Sequence, residues 1–89
     1  MIDVSIIIVN YSTTKYVCRL LESIVRFESF PKIEIIIVNN NSFDNEFKKI
    51  KVQYPFVKIV ESENNDGFAS GNNLGASFAN GRYLLFLNP

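Results

Sequence analysis

Four places in this 89-residue chain set amide side chains at or just past the end of an apolar run. Asn10 follows "VSIIIV", Asn39 opens "NNNS" after "IEIIIV", Asn64 and Asn65 lie just beyond "FVKIVES", and Asn88 follows "YLLFL". The chain holds 11 Asn, more than its 9 Asp and Glu together. An amide offers one acceptor oxygen and two donor hydrogens without charge, a set suited to the edges of a base and the hydroxyls of a ribose or sugar. Asn is also a turn former that tolerates left-handed backbone, which is a sufficient account of any one of these residues. Repetition at four run ends is what brings a binding rim into balance with that plainer reading.

The most distinctive segment is "NNDGFASGNNLG", from Asn64 to Gly75. Gly67, Gly71 and Gly75 are four residues apart, so on a helix Gly71 and Gly75 share a face that Ala79 extends. A face that small lets backbone come very close to a neighbouring element or a ligand. The spacing is neither G-x-G-x-x-G nor G-x-x-x-x-G-K-[ST], so neither standard phosphate loop is present. Packing of helix on sheet accounts for the glycines but not for Asn72 and Asn73, poor helix formers set between them. The lone Cys18 has no His anywhere in the chain to activate it. It reads as a small core hydrophobe.

Elements that could gather these residues follow from periodicity. "VSIIIV" (Val4 to Val9), "IEIIIV" (Ile33 to Val38) and "YLLFL" (Tyr83 to Leu87) are short, continuous and apolar, the pattern of strands buried on both faces. "FVKIVES" (Phe56 to Ser62) alternates more, with Lys58 facing out, which suits a sheet edge. Val17, Leu20, Leu21, Ile24 and Val25 repeat at helical spacing, with Thr13 or Thr14 as N-cap and Pro31 closing the connection. Asp44 opens a shorter helix through Ile50, with Phe47, Ile50 and Tyr54 as its apolar stripe. A third helix is expected from about Ser70 to Asn80, with Gly81 at its end. Alternating strands and helices predict a three-layer α/β/α fold with a parallel sheet. The edge character of the third strand favours order 3-2-1-4. That order puts a switch point between strands one and four, outside whose carboxyl ends open α/β sheets bind ligands.

Composition bounds the partners. The chain is 47% hydrophobic and 20% charged, with mean hydropathy +0.09 and 9 basic residues against 9 acidic ones. That is a folded chain forming one domain over residues 1–89, without the positive field of a nucleic-acid binder. Apolar runs fall far short of the roughly 20 residues needed to cross a bilayer, and no secretory leader opens the sequence. A cytoplasmic location is expected, peripheral to a membrane through parts outside this chain.

Taken together, "VSIIIVNYST", "IIIVNNNSFD" and "NNDGFASGNNLGASFANGRYLLFLNP" resemble the nucleotide-binding half of the family 2 inverting glycosyltransferases with the A-type, Rossmann-like fold, nearest the rhamnosyltransferase-like branch. The resemblance runs from Val4 to Pro89. It implies a sugar transfer from a nucleotide-diphosphate sugar, a UDP- or dTDP-sugar, to a saccharide or lipid-linked acceptor. It further implies that Val9, Asn10 and Tyr11 line the base, that Asn39 stands where an Asp usually holds it, and that Asn65, Gly67, Gly71 and Asn73 border ribose or diphosphate. The branch places a motif of the form L-N-P-D after the fourth strand; this chain has "LNP", with Asn88, and reads as cut before the acid. Mg²⁺ or Mn²⁺ is expected for the full-length enzyme, with no metal held securely here. The general base lies downstream, so no catalytic residue is assigned and this piece is expected to transfer no sugar.

Two rival classes compete with that expectation. A non-catalytic nucleotide-binding or interaction module would use the same rim. A nucleotidyltransferase would want a Gly-rich basic loop after the first strand, where "NYSTTKY" offers only Lys15. The flat apolar "YLLFL" is also expected to pair two copies of the chain if nothing else covers it.

Overall fold

The computed structural model describes residues 1–26, 32–40, 44–62 and 67–89. Strands and helices alternate as β1 (Val4–Asn10), α1 (Thr14–Val25), β2 (Ile33–Asn40), α2 (Asn45–Gln53), β3 (Lys58–Ser62), α3 (Gly67–Ser77) and β4 (Tyr83–Leu87). All pairings are parallel and the order is β3-β2-β1-β4, as the sequence predicts. Parallel neighbours cannot be joined by a tight turn, so each connection carries a helix, and the central strands lie under helices on both faces.

That burial explains the β-branched runs. On one face Ile6, Ile8, Ile35 and Ile37 meet Val17 and Leu21 of α1, Phe47 and Ile50 of α2, and Val57. Val17 and Leu21 are wholly buried, which stabilises the fold by about 1.5–3 kcal/mol for each side chain relative to exposure. Cys18, Leu20 and Ile24 are partly buried against this core, whereas Val25, in the last turn of α1, is exposed. Burial, and then the negative charges of Glu46 and Asp44, push the Cys18 thiol up from its ordinary value. It stays protonated and inert, as a core hydrophobe should.

On the opposite face α3 lies over β1 and β2. A Cβ on Gly71 would come within 2.9 Å of Val9 Cγ1, and one on Gly75 within 2.6 Å of Ile7 Cγ2. The small-residue stripe therefore sets the distance of α3 from the sheet.

Several boundaries differ from the sequence reading. α3 starts at Gly67 rather than about Ser70 and ends at Ser77 rather than Asn80. Gly67, at φ +87°, supplies a left-handed turn into the helix that other residues resist. At the other end Phe78 N–H and Ala79 N–H donate to carbonyls three residues back, tightening the last turn. Gly81 is thus not the helix cap; it lies against β1, where an added Cβ would meet Ser5 N at 2.6 Å. α2 continues to Gln53, and Phe56 lies outside β3 in an exposed turn.

The larger correction concerns β4, which the sequence reads as buried on both faces. Tyr83, Leu84, Leu85 and Phe86 are 45–65% exposed. β4 is an edge strand, and α1 and α3 pack over β1 and β2 instead. A run apolar on both faces records what a strand is suited to bury, and cannot say which element does the covering.

Glu34 ties the entry to β4. Its Oε1 accepts from Ser5 Oγ at 2.6 Å and from Asn80 N–H at 2.5 Å, and Lys58 Nζ lies 3.6 Å from Oε2. Burial alone would raise the Glu34 pKa, but these donors and the Lys58 charge outweigh it and hold the carboxyl below its usual range. A lowered folded pKa gives stability that is complete above the unfolded value, about 4.3, and is lost as pH falls through the folded one. Glu34→Gln is therefore expected to melt below the parent at neutral pH and to match it in acid. A gap that persists at both extremes in a melting series would refute this.

Candidate functional site

The carboxyl ends of the strands carry a continuous polar row. Asn10 and Asn39 are register partners across β1 and β2, and Asn39 and Glu61 across β2 and β3. Asn10 Nδ2 donates to Asn39 Oδ1 and to Thr14 Oγ1, each at 3.1 Å. Asn10 Oδ1 accepts from Thr13 N–H and Thr13 Oγ1, also at 3.1 Å. Asn39 Nδ2 donates to Glu61 at 3.1 Å to Oε2 and 3.4 Å to Oε1. Thr14 Oγ1 donates to Asp44 Oδ2 at 2.8 Å, and Asp44 Oδ1 caps α2 by accepting from Phe47 N–H at 2.7 Å.

Local sequence accounts for the row. Asn10 is the last residue of a strand whose alternation points it toward α1, so its amide meets the first turn of that helix. Thr13 is the N-cap but makes no side-chain cap bond, because its hydroxyl is turned to Asn10. Ser12 takes φ 54° to complete the bend. Glu61, Asn39, Asn10, Thr14 and Asp44 thus bind three strand ends and two helix starts into one unit. Buried amides fully paired in this way act as rigid scaffolding.

The candidate residues divide by what they leave open. Asn10 and Asn39 are 0% and 2% exposed, and both amide donors and the oxygen of Asn10 are spent inside the protein. Val9 is buried against Gly71. Tyr11 is 42% exposed just beyond β1. Asn88 is exposed beyond β4 and emerges at the same end of the sheet as Asn10, since Leu87 pairs with Ile8. Gly67 is exposed where α3 begins, and Asn73 is exposed on α3 while Gly71 and Gly75 turn inward to the sheet. Asn65 lies outside the described residues. Glu61, Thr14 and Asp44 are the members that sequence reasoning passed over. Thr14 and Asp44 were legible only as helix caps, and Glu61 only as a polar residue ending an edge strand.

Residues 5–89 match the family model described as Glycosyl transferase family 2. The chain belongs to this family. Among family 2 relatives it is 33% identical over 91 residues to the minor teichoic acid biosynthesis protein GgaB of Bacillus subtilis, covering 98% of this chain and 10% of GgaB. It is 31% identical over 88 residues to the glycosyltransferase GlyG of Streptococcus pneumoniae, covering 96% of this chain and 29% of GlyG. The crystal structure of S. aureus TarS 1–349 in complex with UDP superposes with a TM-score of 0.84 at 26% identity, over 98% of this chain and 27% of that one. This family 2 chain therefore spans less than a third of these relatives, and its α/β/α architecture is that of the A-type glycosyltransferase fold.

A divalent cation is implied by the resemblance, and the described residues do not fit one. Among them no three His, Cys, Asp or Glu side chains gather to hold a metal. Asn88 is a neutral amide, a poor ligand for a hard cation that prefers carboxylates.

Proposed function

We propose that this chain forms the nucleotide-binding part of an enzyme that transfers a sugar from a nucleoside diphosphate donor to a saccharide or lipid-linked acceptor, with inversion. The observation that carries the reading is the polar row at the carboxyl ends of β1, β2 and β3, on the sheet order whose switch point lies between β1 and β4. Membership of family 2 supports it, as does the capture of TarS with UDP and with UDP-GlcNAc.

In this reading the base lies over Val9, Asn10, Tyr11 and Asn39, and ribose and diphosphate run toward Gly67, Gly71, Asn73 and Asn88; Asn65, outside the described residues, is assigned to the same segment by the resemblance alone. Asn10 acts by holding the bend at 11–14 in place, because its own amide is fully engaged. Inversion requires an acceptor hydroxyl to attack the anomeric carbon from the side opposite the departing diphosphate while a base takes its proton. We assign that role to none of the described residues, and in this reading the chain alone binds nucleotide without turning it over. Calorimetry with UDP and dTDP, with and without Mg²⁺ or Mn²⁺, is the test: weak heats that saturate support the reading, and silence with every nucleotide rejects it. Metal-dependent turnover by the chain alone would refute the inactivity.

The bare edge of β4 belongs to the same reading. We propose that Tyr83 to Leu87 pairs with a second copy when nothing else covers it, since an uncharged apolar edge strand offers unpaired backbone groups to any similar strand. Sedimentation is expected to reveal dimer or larger species at high concentration, and Leu85→Lys to suppress them. A parent that stays monomeric there would end the proposal.

A further inference from the structure

The polar row contains two amides and one carboxylate at the level where β1, β2 and β3 finish. The amides of Asn10 and Asn39 are buried and engaged with one another and with their neighbours, whereas Glu61 is exposed. Both Glu61 oxygens lie within hydrogen-bond reach of the same Asn39 amino group, at 3.1 and 3.4 Å. Asn39 is itself held through its oxygen by Asn10, so the carboxylate is aimed by a relay that reaches back to α1. A carboxylate has about four lone-pair positions, and a single amino group leaves the others available. Glu61 also lines a cavity of about 310 Å³, whose other walls are Phe47, Lys48, Lys51 and Ile59. That volume is at the lower end of the range for small-molecule pockets, and it gives a ligand edge access to the carboxylate from outside the buried row.

We propose that Glu61 is the specificity-determining acceptor of the nucleotide site, reading a ring N–H on the base of the donor, with Asn39 as the positioning residue that orients it. This rests on the nucleotide-binding reading above and deepens it. The chemistry selects bases that present a ring N–H donor on the pairing edge, as uracil and guanine do. It disfavours cytosine and adenine, whose ring nitrogen there is an acceptor and would face the carboxylate lone pairs. Hydrogen bonds with a charged acceptor are the stronger kind, and leaving a carboxylate opposite an acceptor is costly.

The test is calorimetry on this chain with UDP, GDP, CDP and ADP, and with UDP methylated at N3, for the parent, Glu61→Gln and Glu61→Leu. Glu61→Leu takes an acceptor from the buried Asn39 amino group and should melt below the parent, whereas Glu61→Gln keeps an oxygen for it; that both variants are folded at the titration temperature is checked first. The parent should bind UDP, GDP or both about tenfold more tightly than CDP and ADP, and N3-methylation should erase the advantage of UDP. Glu61→Leu should flatten the preference altogether, Glu61→Gln should retain part of it, and neither should respond to N3-methylation as strongly as the parent. A parent that binds all four alike, or a Glu61→Leu variant with the parent's preference, overturns the role of Glu61 and leaves nucleotide binding standing. A parent that binds none of them overturns both.

Discussion

Gly81→Ala is expected to cost about 3 kcal/mol of folding stability, at the upper end of what one misplaced methyl usually does. The new Cβ would sit 2.6 Å from Ser5 N and Ser5 Oγ and 2.9 Å from Val4 C. These atoms belong to β1, a central strand of the sheet, and Ser5 is wholly buried, so the backbone there has no room to retreat. Relief would have to come from displacing the entry to β4. That breaks the bond from Gly81 N–H to Ser5 Oγ at 2.8 Å and, through it, the Ser5 to Glu34 bond at 2.6 Å. Native chains of this length hold only about 0.05–0.15 kcal/mol per residue, so the loss is a large share of the total. Gly67→Ala separates crowding from strain: nothing lies within 4 Å of that Cβ, but φ is +87°, and the cost should stay near 1–2 kcal/mol. Urea midpoints for the two variants measure the difference. Equal midpoints would show that β4 docks less tightly than these distances require.

Asn10→Asp should be comparably severe, through charge rather than volume. The replacement is nearly isosteric, and the oxygen that accepts from Thr13 is kept. The amino group that donates to Asn39 Oδ1 and Thr14 Oγ1 at 3.1 Å is lost, and a carboxylate then faces the Asn39 oxygen in a site with no exposure. A buried charge set against an acceptor costs about 3–5 kcal/mol, by analogy with a broken buried pair. Desolvation would raise the folded pKa of the new carboxyl above its unfolded value. Its penalty is then smallest at low pH, where the protonated acid donates to Asn39, and grows as pH rises past the unfolded carboxylate range. The variant should be closest to the parent in mild acid and furthest from it at neutral pH. Parallel melting curves across that range would show that the Asn10 amide is not held as tightly as its four bonds imply.

Much of this molecule was legible from residue order. Two β-branched runs without alternation, Val4 to Val9 and Ile33 to Val38, marked strands covered on both sides, and helical spacing between the strands forced parallel crossovers. The edge character of Lys58 to Ser62 was enough to choose β3-β2-β1-β4 from the alternatives. The Gly71 and Gly75 stripe announced a close helix contact, and Asp44 announced the start of α2. All of these are local signals, carried by side-chain type and period within one segment.

Tertiary structure decided what those signals could not. Whether Asn10 faces a ligand or its own neighbours depends on where Thr14, Asn39 and Asp44 arrive from segments up to 34 residues away, and no periodicity encodes that meeting. Glu61 became an exposed acid of the rim because the register of β3 on β2 sets it opposite Asn39. Gly81 changed from a helix end to a strand contact because Ser5 and Glu34 hold the chain there. An apolar strand specifies what it would bury, and a polar side chain specifies what it could bond; which partner is present is a property of the folded sheet.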